Sequence, residues 1–351
     1  MDLGGEMNLD KNDIERLKEV GVDEDLQKAG EFIQIDHSPF SCNILQEGVI
    51  LLPLSEAIKK YKWVKDYVNE DDVEGYFLWV KKGVKVKKPF QTCAFMKEEN
   101  VQNIFNLIIL EEESEINLLS SCTISSFVDS ALHIGKSKYV IKKNAKLTYT
   151  MIHMWGENVE VYPKTFVEVE EGGEFVSTYV NLYKVKRIIS NPICKLQQNA
   201  KASFNSIIVS YPSSYIEMGG EVYLEGENSR ADIVSRNVIY GGENIAKGRI
   251  IAKNKEVSGH IECESLLLSD EAHMSTIPIL ESFNKDVRLT HEAAVGKIAK
   301  EEIEYLMSKG IDEDSAISLI VKGFLKLEIE GISEDLKEKI QNAINLSKLG
   351  F

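Results

Sequence analysis

A turn-centred motif recurs seven times through the middle of the chain, and its even spacing restricts the folds open to it. The motif reads apolar, two polar residues, a turn residue, one or two more, then apolar. It occurs as VKKGVKV from Val80, LEEESEI from Leu110, IKKNAKL from Ile141 and VEEGGEF from Val169. It continues as LQQNAKA from Leu196, LEGENSRA from Leu224 (one residue longer) and IAKNKEV from Ile251. Successive starts lie 30, 31, 28, 27, 28 and 27 residues apart. Apolar and polar residues alternate on either side of each turn, as in Phe166-Val167-Glu168-Val169, which is the period of a strand. Asn-Ala, Gly-Gly and Asn-Ser supply residues that tolerate positive φ. Two strands and a turn per repeat, stacked in sequence, make a β-solenoid. An antiparallel sandwich of hairpins is the competing fold, but sandwiches rarely keep so regular a period.

The flanking segments read as helical. Asn12-Asp13 can cap a short helix closed by Gly21, and Ser55 can cap EAIKKYKWVKDYV. Towards the C-terminus, Lys300 to Met307 forms an acidic amphipathic helix stopped by Gly310. Asp312 then caps EDSAISLIVKGFLK, and Ser333 caps EDLKEKIQNAINLSK. Covering the solenoid ends is the plain structural role for these helices. The expected division is an N-terminal helical region over 1–75, a β-helix core over 76–285 and a C-terminal helical region over 286–351.

Composition removes several function classes. The chain has 351 residues, 43% hydrophobic and 28% charged, with a net charge of −15. That charge opposes nonspecific binding to nucleic acid or to an anionic membrane. There is no apolar run of the roughly 18–20 residues that a membrane span needs. The opening MDLGGEMNLDKNDIERLKEV is acidic and polar, unlike a signal or transit peptide, so a cytoplasmic protein is expected. The chain carries no G-x-x-x-x-G-K-[ST] element; GGEN at Gly241 lacks the downstream Lys-Ser/Thr. Any use of ATP therefore belongs to a partner.

The five cysteines, Cys42, Cys93, Cys122, Cys194 and Cys263, include no C-x-x-C pair. This spacing excludes a local zinc knuckle or ferredoxin-type run, and the odd count argues against a disulfide framework. Burial as a small hydrophobe is the default for each. In GHIECESLLLSDEAHMSTIP, strand alternation puts Ile261, Cys263 and Ser265 on one face, so Cys263 could simply be packing. His291 and Glu292 follow Cys263 by 28 and 29 residues. Thiolate, imidazole and carboxylate together are iron ligands of mixed softness. Because DVRLT before them is strand-like, His291 and Glu292 would point to opposite faces. Both could serve one metal only if the chain bends there or if one serves a neighbouring subunit.

These stretches resemble the SufB/SufD family of iron–sulfur cluster assembly scaffolds. The resemblance runs from about Leu51 to Phe324. It is carried by VKKGVKVKKPFQTCAFM, by SCTISSFVDSALHIGKSKYVIKKNAKLTYTMIHMW and, most specifically, by Pro278, His291-Glu292-Ala293 and Tyr305-Leu306…Gly310. Glu rather than Gly after the histidine resembles the SufB type, and the short chain resembles archaeal versions. The resemblance implies a right-handed parallel β-helix and a non-enzymatic scaffold that builds nascent iron–sulfur clusters and passes them to acceptor proteins. By position, Cys122 matches the cysteine that receives and relays sulfur. Cys263 matches the cluster-site cysteine, Glu292 its accompanying carboxylate, and His291 the histidine shared with the SufD type. His153-Met154-Trp155 replaces the Gln-x-Trp of bacterial members, which puts the relay path in doubt; His153 and Trp155 could line the solenoid interior.

The resemblance further implies a sulfur donor, pairing with a second copy and a SufC-like ABC ATPase docking on the C-terminal helices. Ile303, Leu306, Ile317, Ile320, Val321 and Phe324 would supply that apolar face, or else pack on the solenoid. No role is matched for Cys42, Cys93, Cys194, His260 or His273. The alternative function is a β-helix polysaccharide lyase or hydrolase. That class needs carboxylate clusters on an outer face and is usually secreted.

Overall fold

The computed structural model describes residues 9–22, 28–69 and 71–325. The repeats form a parallel β-solenoid of about eight turns. Two sheets face each other. The ten-stranded sheet runs in the order β2 (Ser38–Ile44), β1 (Gly30–Ile35), β5 (Phe90–Met96), β7 (Glu115–Ile124), β9 (Lys146–Met154), β12 (Glu174–Asn181), β15 (Lys201–Ser210), β18 (Arg230–Ile239), β20 (Val257–Leu267) and β22 (Val287–Gly296), and the twelve-stranded sheet contains the remaining strands. All pairings are parallel except β1 (Gly30–Ile35) with β2 (Ser38–Ile44) and β3 (Val49–Pro53) with β4 (Tyr76–Val80). Sheet thus extends from Gly30 to Gly296, wider than the span 76–285, and β1–β3 occupy part of the segment expected to be helical.

The repeat alignment is visible in the strand register. Val80 pairs with Leu110, Leu110 with Ile141, Ile141 with Val169, Val169 with Leu196 and Leu196 with Leu224. Leu224 then pairs with Ala252, so the last repeat begins one residue later than Ile251. The extra residue of LEGENSRA accounts for the shift. All seven side chains of this column are buried and form one edge of the core. Burying each leucine or valine contributes on the order of 1.5–3 kcal/mol.

Each turn places one residue at positive φ: Gly83, Glu113, Asn144, Gly172, Asn199, Asn228 and Glu256. Glycine and asparagine accept this conformation readily, whereas a glutamate is strained there by roughly 1–3 kcal/mol. Stacking compensates. The Glu113 N–H donates to Lys143 O at 2.9 Å, as Asn144 N–H donates to Glu171 O at 3.0 Å one turn further on. The next coil therefore fixes the conformation that the sequence alone would not choose at Glu113.

The helices differ in detail from expectation. In α1 (Lys11–Glu19) the N-cap is Asp10, whose carboxylate accepts from Asp13 N–H at 2.7 Å, in place of Asn12-Asp13. The segment after Ser55 is not one helix: α2 (Leu54–Lys60) stops at Tyr61 and a 3₁₀ helix covers Lys62–Tyr67. The break turns Tyr61, Trp63 and Tyr67 into an aromatic cluster over Phe77 and Trp79. Helices α3 (Lys300–Ser308) and α4 (Glu313–Phe324) lie where the sequence puts them. Gly310 is at positive φ, and Asp312 caps α4 by accepting from Ser315 N–H. The Ser333 helix lies outside the described residues.

These helices do not close the solenoid's end. Leu17 and Val20 of the first helical segment, and Ile303, Ile317, Ile320, Val321 and Phe324 of the last, pack in one cluster with Phe95, Leu119, Ile152, Val180, Ile207 and Val238. Helices from both ends of the chain therefore cover the ten-stranded sheet. Among the described residues the last strands, β21 (Ala272–Ser282) and β22 (Val287–Gly296), are edges, each paired on one side only. Ile277, Ile279, Phe283 and Val295 are exposed on this final turn.

Candidate functional site

Strand alternation and the in-register parallel pairing give the solenoid an inner row of unusual composition. Cys122 on β7 (Glu115–Ile124) stands beside His153 on β9 (Lys146–Met154). From β9 onward, Met151 pairs with Tyr179, Tyr179 with Ser206, Ser206 with Ser235 and Ser235 with Cys263. These five residues are spaced by 28, 27, 29 and 28 positions, the period of the repeat itself. The row joins two cysteines that are far apart in sequence.

Short contacts involve several of its members. Cys122 Sγ lies 4.0 Å from Met151 Sδ, and the Tyr179 hydroxyl is 2.5 Å from His153 Nδ1. Ser206 Oγ donates to Ser235 Oγ at 3.1 Å. The Asn237 amide reaches Ser235 Oγ at 2.9 Å, Ser265 Oγ at 3.2 Å and Cys263 Sγ at 3.9 Å. Cys122, His133, Met151, His153, Tyr179, Ser206 and Ser235 line an interior cavity of about 90 Å³. A second cleft at the open end is lined by Cys263 and Glu292, and Ile233, Ser235 and Lys247 line both spaces. Of these residues, Tyr179, Ser206, Ser235, Asn237 and Lys247 were not singled out from the sequence, although the repeat period would have found the first three.

Burial sets the protonation of this interior. It drives the Cys122 thiol well above its ordinary range, with Cys93 adding to the effect, and lifts Cys263 to about 11. It lowers His133 to about 4 and, with His133 alongside, holds His153 well below its usual range. His133 Nδ1 is 2.9 Å from Gln102 Oε1, and both imidazoles pack against Trp155. At neutral pH the two lining histidines are therefore neutral, and the lining Lys247 is ion-paired with Glu217 at 2.6 Å.

At the open end the chain does not bend. β22 is continuous through His291 and Glu292, which pair with Ile261 and Glu262 while Cys263 pairs with Ala293. His291 thus shares the sheet face of Cys263, and Glu292 shares the opposite face with Glu262. Glu262 is bonded to Arg236, which also contacts Glu264 at 3.4 Å. His291 and Glu292 are both exposed. Among the described residues no three histidine, cysteine or carboxylate side chains converge as a metal site. Cys263 and Glu292 border one cleft, whereas His291 does not line it.

The family match agrees with this architecture. The domain described as "SUF system FeS cluster assembly, SufBD core domain" matches residues 94–324, from within β5 to the end of α4. The chain belongs to the SufBD family of iron–sulfur cluster assembly proteins. A SufBD family protein from Archaeoglobus fulgidus is 42% identical over 360 residues, covering 98% of this chain and 96% of that protein. One from Methanothermobacter thermautotrophicus strain Delta H is 36% identical, covering 96% of this chain and 88% of that protein. One from Pyrococcus horikoshii is 34% identical, covering 95% and 80%. The polysaccharide lyase or hydrolase reading is not favoured. Among the described residues no helix is long and apolar enough to cross a membrane.

The expected docking face is redistributed. Val321 is buried, and Ile303, Ile317, Ile320 and Phe324 are packed against the sheet. The apolar side chains that α3 and α4 leave exposed are Tyr305, Met307 and Leu319, at 62%, 43% and 51%.

Proposed function

We propose that this chain is a SufB-type scaffold on which iron–sulfur clusters are built, with Cys122 receiving sulfur and Cys263 holding the nascent cluster. The observation that carries this reading is the inner row from Met151 to Cys263, which begins in contact with the Cys122 sulfur. Cys122 and Cys263 are separated by five strand-to-strand steps, about 24 Å at about 4.8 Å each. No side chain spans that distance, so we propose a diffusible hydrosulfide as carrier. It attacks the outer sulfur of the Cys122 persulfide, leaving as hydrodisulfide and freeing the Cys122 thiolate, and the Cys263 thiolate then takes that sulfur and releases hydrosulfide again. At Cys122, thiolate attack on a donor persulfide forms a new S–S bond. The donor thiol leaves with the proton, and there is no net redox change.

At the open end a single copy offers the Cys263 thiolate and, on the same sheet face, the His291 imidazole, while the Glu292 carboxylate on the opposite face would serve a cluster shared with a second copy. One soft ligand with oxygen and nitrogen donors holds a cluster loosely enough to release it. The unpaired edges of β21 and β22, with Ile277, Ile279 and Val295 exposed, suit pairing with a second copy, which would supply a second thiolate. A SufC-like ABC ATPase would engage Tyr305, Met307 and Leu319, and apo acceptor proteins would receive the product. The chain itself is not an enzyme in this scheme, and its work is cytoplasmic.

Anaerobic reconstitution with ferrous iron and sulfide tests the reading. The expected product has thiolate-to-iron charge-transfer absorption that depends on Cys263. A protein that retains no iron and sulfide under these conditions would contradict it.

A further inference from the structure

Three side chains at the head of the inner row form a donor set that sulfur transfer alone does not require. Cys122 and Met151 present their sulfurs 4.0 Å apart, and His153 is the register neighbour of Cys122 on the adjoining strand. All three line the same interior cavity. Metal–sulfur bonds to first-row ions are about 2.3 Å long, so two sulfurs on a trigonal ion stand about 4 Å apart. The observed separation meets that requirement without movement of the strands.

We propose that this cavity binds one monovalent soft cation, copper(I), between Cys122, Met151 and His153. The inference goes beyond the scaffold reading and does not depend on it. Thiolate and thioether ligands select copper(I) among the common biological cations, and imidazole completes a three-coordinate set. Charge balance makes the same choice. On binding, the Cys122 S–H bond breaks, its proton leaves to solvent and a sulfur–copper bond forms, with no change in the oxidation state of either atom. One thiolate then neutralises one positive charge. A divalent ion would leave a net positive charge buried in a cavity whose lining contains no carboxylate, the one lining lysine, Lys247, being already paired with Glu217 at 2.6 Å, and this is strongly unfavourable. The Tyr179 hydroxyl at His153 Nδ1 supplies the outer hydrogen bond that fixes a ligating imidazole. Copper so bound occupies the thiol of Cys122, so it would also shut that residue to any other sulfur chemistry.

The test uses the full chain with Cys42→Ser and Cys263→Ser, which removes the exposed thiol and the thiol at the open end. Copper(I) is offered anaerobically as its bicinchoninate complex. The expected result is withdrawal of one copper per chain, with X-ray absorption showing two sulfurs and one nitrogen around it. Adding Met151→Leu should weaken retention roughly tenfold or more, as expected for loss of a direct ligand when outer partners alone are worth about 10–100-fold. That swap conserves volume and should cost less than about 1.5 kcal/mol of stability. Failure to withdraw copper, or retention unchanged by Met151→Leu in a folded protein, would overturn the proposal. A single sulfur in the absorption spectrum would do so without recourse to any further variant.

Discussion

Ser206 Oγ donates to Ser235 Oγ at 3.1 Å inside the solenoid, and the backbone register extends that pair to Cys263 on the next strand. Small hydroxyl side chains at these two positions leave space, whereas two residues earlier on the same strands the adjacent row is filled by Phe204 and Ile233. A parallel solenoid repeats whatever one turn places inside, so a narrow polar lane persists where successive turns keep small residues at one position. Here Ser206 and Ser235 keep that position small between Tyr179 and Cys263.

Cys263→Ser should abolish most of the charge-transfer absorption after anaerobic reconstitution, since it removes the softest ligand of the end cleft. Glu292→Ala should lower cluster retention less, and iron and sulfide analysis would quantify both. Equal cluster content in Cys263→Ser and wild type would return Cys263 to a packing role.

The C-terminal helices allow two substitutions with opposite expectations. Phe324→Asp places a charge in the cluster that includes Val321 and Ile320, so it should lower the melting temperature, by about 2–4 kcal/mol in stability. Leu319→Asp changes an exposed side chain and should leave melting close to wild type while abolishing co-purification with a SufC-like ATPase. Normal ATPase binding by a folded Leu319→Asp protein would move the docking surface elsewhere.

Stability should fall as the solution is acidified from about pH 6.5 towards 4, in part because His133 and His153 are buried as neutral rings. Their folded-state pKa values are depressed, His133 to about 4, so between these pH values the unfolded chain binds protons that the folded chain does not. Each such histidine contributes a slope of up to about 1.4 kcal/mol per pH unit, with stability greater at the higher pH. Urea unfolding at pH 5 and 7 should show a smaller difference in His133→Gln than in wild type. An identical pH dependence in the two proteins would mean that His133 is not buried neutral.

Much of this architecture can be read from the sequence because the repeat period and the strand period are both strong. The seven turn residues are visible as Gly or Asn at most levels, and only the single insertion in LEGENSRA displaced the last repeat by one residue. The alternation that set Cys263 with Ile261 and Ser265, and separated His291 from Glu292, survives in β20 and β22. Other features depend on tertiary packing. Tyr61 breaks a good helical pattern because Trp63 and Tyr67 gain an aromatic cluster on Phe77 and Trp79. The amphipathic faces of α3 and α4 have the same sequence pattern whether they cover a sheet or await a partner, and here Phe324 does the former. Tyr179, Ser206 and Ser235 carry no motif of their own; their meaning comes from sharing one position in successive turns with Cys263.

Transfer of radiolabelled sulfur tests the relay most directly. A persulfide-bearing sulfur donor is mixed anaerobically with the full chain, free thiols and persulfides are trapped by alkylation, and labelled peptides are identified. Wild type should carry label at Cys122 and at Cys263, Cys122→Ser at neither, and Ser235→Leu, which fills the lane next to Cys263, at Cys122 alone. Label reaching Cys263 undiminished in folded Cys122→Ser and Ser235→Leu proteins would contradict passage along the inner row.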